Sequence, residues 1–177
     1  MAGMSESAAW RVLHKFCECF SQHMFETWIG LFKNDEELQQ TMKAYHRLGF
    51  TGAVGSTDMT HLMVDRSYKG KGAFLTLAHE VTIDHSMGVL GATCGFPGAR
   101  NDQTIFRYDD TVVQVRTNKR FTDLKYTLFD ADGNEFTHRG AYLIIDGGYR
   151  QWRCLMAPYK ANRNEDQLRW SKRSESA

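Results

Sequence analysis

Apolar residues recur at three- and four-residue steps in the N-terminal part of the chain, between Ser5 and about Phe32. This spacing is typical of an amphipathic helix, because it places the apolar side chains on one face. The positions are Trp10, Leu13, Phe16, Phe20, Met24, Trp28 and Leu31. The pattern predicts a helix in which Trp10 and Trp28 are buried core residues and do not stack on nucleic-acid bases.

A second helix is predicted directly after the first. Asn34 stands three residues before Glu37, an arrangement that favours a capped helix start, and Gly49 provides an end. The apolar positions of this helix are Leu38, Met42 and Tyr45. Residues 1–48 are therefore interpreted as a helical N-terminal segment.

After Gly49 the pattern changes to small and β-branched residues, which favour strands. A strand is predicted from Thr51 to Asp58, with an extension toward Val64. The segments LAHEVTIDH and GVLGATCGF predict a hairpin whose tight turn lies at residues 86–88. Before this hairpin, RSYKGKGAF has the glycines and cations of an exposed loop.

The later pattern alternates between helix and strand signals. Residues 102–117 are ambiguous, and we favour a helix for their first half. Residues 125–136 contain an Asp-Gly turn typical of a hairpin, and AYLIID predicts a strand that closes at Asp146. A helix is expected within 149–155. The whole pattern indicates a mixed α/β domain with a helical N-terminal lobe.

Composition narrows the class of protein. A chain of 177 residues fits one domain, and its net charge of +1 provides no overall basic field for nucleic acid. The four cysteines lack the density of a disulfide scaffold, so we expect a reducing compartment. No apolar run is long enough to cross a bilayer, so we expect a soluble protein without a membrane partner. The polar segment from residue 161 onward is expected to be a frayed end or the start of a further element.

Three aspartates stand near the ends of apolar runs: Asp58, Asp102 and Asp146. Mg²⁺ and Mn²⁺ prefer oxygen ligands, usually one or two carboxylates with several waters. If Asp58 and Asp102 converge, metal ions held there could activate a water and stabilise the leaving oxygen of a phosphodiester. The alternative is that each aspartate only forms a turn, since Asp often accepts hydrogen bonds from nearby backbone amides.

Three longer motifs follow one another along the chain. They are GFTGAVGSTDMTH, GVLGATCGFPGARND and GAYLIIDGGYRQWRCLMAPY, at residues 49–61, 88–102 and 140–159. In order and spacing they resemble the motifs of PIF/Harbinger-type transposases and their plant-type relatives. The resemblance extends from about Ser5 to the C-terminus.

The resemblance implies an RNase H-like core in which Asp, Asp and Glu bind divalent metal for DNA cleavage and strand transfer. By motif, Asp58 and Asp102 correspond to the catalytic and metal-binding aspartates, and Asp146 is a weaker candidate ligand. The family's Glu lies in a Val-Glu-x-x-Phe-Gly-like segment that has no counterpart here. Residues 49–177 are therefore expected to be a partial core, incomplete at the C-terminus, with little or no activity.

The expected function is a transposase-derived DNA endonuclease or strand-transfer core that uses Mg²⁺ or Mn²⁺ in the nucleus. His61 is a weak additional candidate near the metal or a phosphate. The expected partners are DNA and either a DNA-binding protein or a second copy of the chain. The candidate contacts to the DNA backbone are Lys69, Lys71, Lys119 and Arg120. The alternatives are a domesticated or degenerate module that binds DNA or protein without catalysis, and a gene remnant.

Two other patterns are rejected as metal sites. Cys17 and Cys19 lie near histidines, but residues two apart on a helix point to different faces, so zinc binding is not expected. DADGNEF, at residues 130–136, lacks the glycine and glutamate positions of a calcium loop. It is interpreted as a hairpin turn.

Overall fold

The computed structural model describes residues 3–63, 76–97, 102–147, 152–159 and 164–174. In these ranges the helices are α1 (Glu6–His23), α2 (Phe25–Trp28), α3 (Asp35–Arg47), α4 (Asp102–Ile105), α5 (Asp110–Thr117), α6 (Lys119–Thr122) and α7 (Glu165–Ser174), with a 3₁₀ turn at Phe106–Tyr108. The strands are β1 (Ala53–Met63), β2 (Thr76–Ile83), β3 (Val89–Ala92), β4 (Phe96–Pro97), β5 (Lys125–Phe129), β6 (Glu135–Arg139), β7 (Tyr142–Ile144) and β8 (Leu155–Met156).

The main sheet is mixed, with strands in the order β3-β2-β1-β7-β8 and β4 paired to β2. β2 runs antiparallel to β1 and β3, whereas β1, β7 and β8 run parallel. A parallel neighbour requires a crossover connection, and helices α4, α5 and α6 lie between β1 and β7 in the chain. β5 and β6 form a separate antiparallel hairpin. The mixed α/β fold is therefore confirmed, and it is consistent with an RNase H-like core.

Among the described residues, buried apolar side chains form two clusters. The larger cluster joins helix residues such as Val112 and Phe121 to Val54 and Leu143 of the sheet. The smaller cluster contains Tyr45, Phe50, Ala53, Tyr142 and Ile144, with Trp170 packed against it. The central strands β1 and β7 contribute to both clusters, so they are held from both sides.

Side-chain caps explain why two helices begin where they do. Asn34 Oδ1 accepts a hydrogen bond from the Glu37 backbone N–H at 2.8 Å, which confirms the predicted start of α3. Asp109 Oδ1 accepts from the Val112 N–H at 3.0 Å, and α5 then continues to Thr117. For residues 102–117, which were ambiguous in the sequence, a helix was favoured only in the first half. Helical structure also occupies the second half. The valines bury one helical face despite their strand preference.

The first helix is present but is not packed as predicted. All of α1 lies in the described part of the chain, and none of its residues is buried. Trp10 is 52% exposed and Trp28, in α2, is 66% exposed. The prediction that these tryptophans belong to the core is therefore wrong, because the apolar period specified a helix but not a neighbour for it.

Two expectations for the C-terminal part are also corrected. A helix was expected within residues 149–155, but the described residues there lead into strand β8 at Leu155. The polar end was interpreted as either a frayed end or the start of a further element. Glu165–Ser174 form helix α7, whose Ser171 and Ser174 are buried, so these residues are not frayed. No helix in the described ranges is long and apolar enough to span a membrane.

Candidate functional site

Asp58 lies on β1, and Asp146 lies two residues beyond the end of the parallel neighbour β7. The pairing of β1 with β7 ends at Ser56 and Ile144, each two residues before its aspartate. Side chains two residues apart on a strand point to the same face of the sheet. The two aspartates therefore both follow a paired position at the end of β7, and a role for Asp146 as a metal ligand stays a prediction.

The same two aspartates line one cavity of about 400 Å³. Both residues are exposed. Asp58 Oδ1 accepts a hydrogen bond from the Met59 N–H at 2.8 Å. Val81, Ile83 and Ile144 contribute an apolar floor to the cavity. A pair of carboxylates over an apolar floor suits a hard cation with its waters, because each charge stays accessible.

Ser174 is a polar group of this cavity that the sequence did not reveal. It is the last residue of α7, it is only 7% exposed, and it lines the cavity together with the aspartates. Its hydroxyl has no hydrogen-bond partner among the described residues. It was missed because the segment from residue 161 was interpreted as polar tail. Helical periodicity in EDQLRWSKRS is the signal that could have placed it.

Tyr45 supports the same face of β1 from helix α3. Its hydroxyl lies 3.4 Å from Ser56 Oγ, two residues before Asp58. Burial raises the pKa of Tyr45, and the Asp84 carboxylate adds to this rise, while the hydrogen bond with Ser56 opposes it. Tyr45 is therefore a neutral, structural neighbour of the aspartates.

A buried polar cluster lies on the opposite face of β1. The Thr57 hydroxyl donates to Glu80 Oε1 at 2.9 Å, and the Thr82 hydroxyl donates to Thr57 Oγ1 at 2.9 Å. Glu80 and Thr82 are fully buried. This cluster fixes the pairing of β1 with β2 next to Asp58, and it was not anticipated from the sequence. Burial alternates along LAHEVTI, and Glu80 occupies one of the buried positions. An acidic residue at such a position is the sequence signal that could have revealed the cluster.

Asp102 begins α4, and its side chain lies outside the part of the chain that is described. Its proximity to Asp58 therefore stays a prediction. β4 precedes α4 and pairs with β2, whereas Asp146 follows β7 on the other side of β1. Within the described residues, no group of three or more His, Cys, Asp or Glu side chains is placed to hold a metal ion.

Of the four candidate DNA contacts, the structure describes only Lys119 and Arg120. Lys69 and Lys71 lie outside the described residues. Lys119 is exposed at the start of α6. Arg120 Nη1 donates to the Phe32 carbonyl at 2.6 Å, so this guanidinium also connects α6 to the residues before α3. A contact of any of the four with DNA stays a prediction.

His61 lies on β1, three residues beyond Asp58. Because strand side chains alternate, it points to the face opposite Asp58. It is exposed, and its role near a metal or phosphate stays a prediction.

Comparison with known proteins gives one informative relative. The chain is 24% identical over 167 residues to Protein ALP1-like of Arabidopsis thaliana. The match covers 89% of this chain and 39% of the relative, so the chain spans about two fifths of that protein's length. No family model matches the chain. No solved structure matches it either.

Proposed function

We propose that this chain is a transposase-derived core that binds Mg²⁺ or Mn²⁺ through Asp58 and Asp146 and acts on the DNA backbone. The carrying observation is that both residues line one cavity, each two residues beyond the last pair of the parallel strands β1 and β7. The order of the three motifs and the similarity to Protein ALP1-like support the transposase-derived family. The PIF/Harbinger assignment and a nuclear location are part of the proposal.

The residues of the cavity fit a hard cation. Asp58 and Asp146 provide oxygen ligands, and the unpartnered Ser174 hydroxyl can hydrogen-bond to a water of the ion. Asp102 is retained as a further proposed ligand. When bound, the ion supplies Lewis-acid activation of a water or hydroxyl for phosphodiester cleavage. The protein's own part is to hold the carboxylates in register and to keep the apolar floor in place.

Recognition of DNA is proposed to depend on local cations, because the net charge of the chain is only +1. Lys119, Arg120, Lys69 and Lys71 are the proposed phosphate contacts. Such binding is nonspecific and weakens steeply as salt rises, because each neutralised phosphate releases counterions.

A second candidate is a module that binds DNA or protein without catalysis. It is favoured because, among the described residues, no group of three or more His, Cys, Asp or Glu side chains is placed to hold a metal ion. Two carboxylates can bind an ion weakly, but a third normally adds affinity and geometric control. The two candidates therefore differ in metal binding and in chemistry.

The test is calorimetric titration of the whole chain with Mn²⁺, together with plasmid nicking. We expect binding by the wild type and a loss of about tenfold or more in affinity in Asp58→Asn and Asp146→Asn. Asp132→Asn removes an exposed turn carboxylate and serves as the matched control. Absence of Mn²⁺ uptake at millimolar metal would reject the metal site and favour the second candidate. Nicking that survives Asp58→Asn would reject its catalytic role.

A further inference from the structure

Helix α1 presents large apolar side chains to solvent. Phe16 is 64% exposed, Leu13 is 50% exposed and Met24, at the end of the helix, is 40% exposed. Trp10 and Trp28 are more than half exposed. A soluble monomer rarely leaves such a contiguous row uncovered, and exposed apolar patches mark interaction sites.

The apolar residues of α1 share one face of the helix. At about 100° per residue, the stripe formed by Trp10, Leu13, Phe16, Cys17, Phe20 and Met24 covers roughly a third of the circumference. Arg11, Lys15 and Glu18 lie on the opposite face, where Lys15 Nζ and Glu18 Oε2 form an exposed ion pair at 3.0 Å. A partner seated on the stripe therefore desolvates none of these charges.

We propose that this stripe is the contact surface for a second copy of the chain, related by a two-fold axis. An uncharged stripe is complementary to itself, as an isologous interface requires. The net charge of +1 produces little repulsion between copies.

The available area is close to what a dimer needs. Taking about 200 Å² for each fully exposed aromatic side chain and somewhat less for Leu and Met, the stripe with Trp28 offers on the order of 600 Å² per copy. A standard interface buries about 800 Å² per partner. Close packing of the flanking residues would supply the remainder, so the helix pair alone provides most of a stable interface.

Cys17 marks the middle of the stripe, since it lies seven residues from both Trp10 and Met24. A two-fold axis through the centre of the contact brings the two copies of Cys17 near each other, whether the helices run parallel or antiparallel. Cys19 lies about 200° around the helix from Cys17 and points away from the contact. Both thiols are exposed.

The first test measures oligomeric state by sedimentation of the whole chain from about 1 to about 100 μM. We expect a dimer for the wild type and a dissociation constant raised roughly tenfold or more in Phe16→Glu, because a charge would enter the contact. The control variant Gln22→Glu adds the same charge to the polar face of α1, so it should leave the dissociation constant of the dimer unchanged. Both positions are exposed, so the fold is retained, and circular dichroism checks the helix.

The second test uses a short bis-maleimide cross-linker on chains with one exposed cysteine. We expect cross-linked dimer from the chain that keeps Cys17 (Cys19→Ser, Cys94→Ser) and little from the chain that keeps Cys19 (Cys17→Ser, Cys94→Ser). A wild type that stays monomeric across the range, a dimer that is insensitive to Phe16→Glu, or equal cross-linking of both chains would each overturn the proposal. None of these results depends on metal binding.

Discussion

Asp58 of β1 and Asp146, two residues beyond the end of the parallel strand β7, line one cavity. A cation that binds both carboxylates favours the folded chain, because it does not bind the unfolded chain in the same way. The proposed site therefore predicts that binding of a metal ion to Asp58 and Asp146 raises the stability of the folded chain.

We expect added Mn²⁺ to raise the melting temperature of the wild type but not of Asp58→Asn or Asp146→Asn. Without metal, Asp58→Asn should change stability little, because the Asp58 side chain is exposed. Thermal unfolding with and without Mn²⁺ measures the effect, and Asp132→Asn should respond as the wild type does. Equal metal response in all variants would contradict the assigned pair.

Ser174→Ala should leave stability unchanged or slightly raised, because the lost hydroxyl is buried and without a partner among the described residues. Affinity for Mn²⁺ should fall by a few-fold if the hydroxyl bonds a water of the ion. Ser171→Ala is the contrasting variant, since Ser171 Oγ accepts from the Tyr159 N–H at 3.1 Å and its loss should cost stability. Unaltered Mn²⁺ affinity in Ser174→Ala would exclude this role.

The buried carboxyl of Asp109 should make stability depend on pH. Burial raises the pKa of Asp109, against the lowering effect of hydrogen bonds from Val112 and Thr111. At pH values between the ordinary pKa of Asp in the unfolded chain and its raised pKa in the folded chain, Asp109 is ionised in the unfolded chain but protonated in the folded one. The contribution of Asp109 to stability therefore falls as pH rises through this interval.

In Asp109→Asn this contribution is absent, while an Asn side chain can still cap α5. The variant should therefore lose less stability than the wild type between about pH 4 and the neutral range. Denaturant unfolding at a series of pH values measures the difference. Parallel pH profiles for the two proteins would show that Asp109 does not titrate differently on folding.

Arg120→Ala should destabilise the fold by about 1–3 kcal/mol, because it removes a charged hydrogen bond to the Phe32 carbonyl. The bond from Arg120 Nε to Asp35 adds little, since the Asp35 side chain is 84% exposed. Lys119→Ala, on an exposed neighbour, should change stability by less than about 0.5 kcal/mol. Comparing the two variants in DNA titrations at low salt separates a phosphate contact from a loss of structure.

Gly52→Ala should cost roughly 2–4 kcal/mol. Gly52 has φ +93°, and a β-carbon there would overlap the Tyr126 ring of the β5–β6 hairpin. Gly30→Ala is the matched control, because a β-carbon at Gly30 meets no described atom within 4 Å. Similar unfolding free energies for the two variants would contradict the close approach of the hairpin to the start of β1.

Local signals predicted much of the secondary structure. The Asn34 cap, the strand into Asp58, the hairpin turn at residues 86–88 and the Asp132–Gly133 turn all lie where the residues indicated. These features depend on neighbours within a few residues, so composition and spacing suffice. The ambiguous stretch around Val112 needed more, because the Asp109 cap and the packing of one helical face override the valines' strand preference.

The candidate site was only partly predictable for the same reason. Three aspartates at strand ends were visible in the sequence, but their pairing depends on which strands become neighbours. β2, β3 and β4 lie between Asp58 and Asp102 in the chain, whereas the segment that ends at Asp146 reaches β1 through a parallel crossover. Ser174 enters the same cavity from α7, far from Asp58 in the chain.

The sequence by itself determined many of the helices and strands, the mixed α/β class and the aspartates available for chemistry, because periodicity, caps and turn residues act over short distances. Only the tertiary structure decided that Asp58, Asp146 and Ser174 line one cavity, that Arg120 bonds to the Phe32 carbonyl, and that the apolar face of α1 is left uncovered. These outcomes depend on strand order and on contacts between residues distant in the chain, which no local pattern encodes.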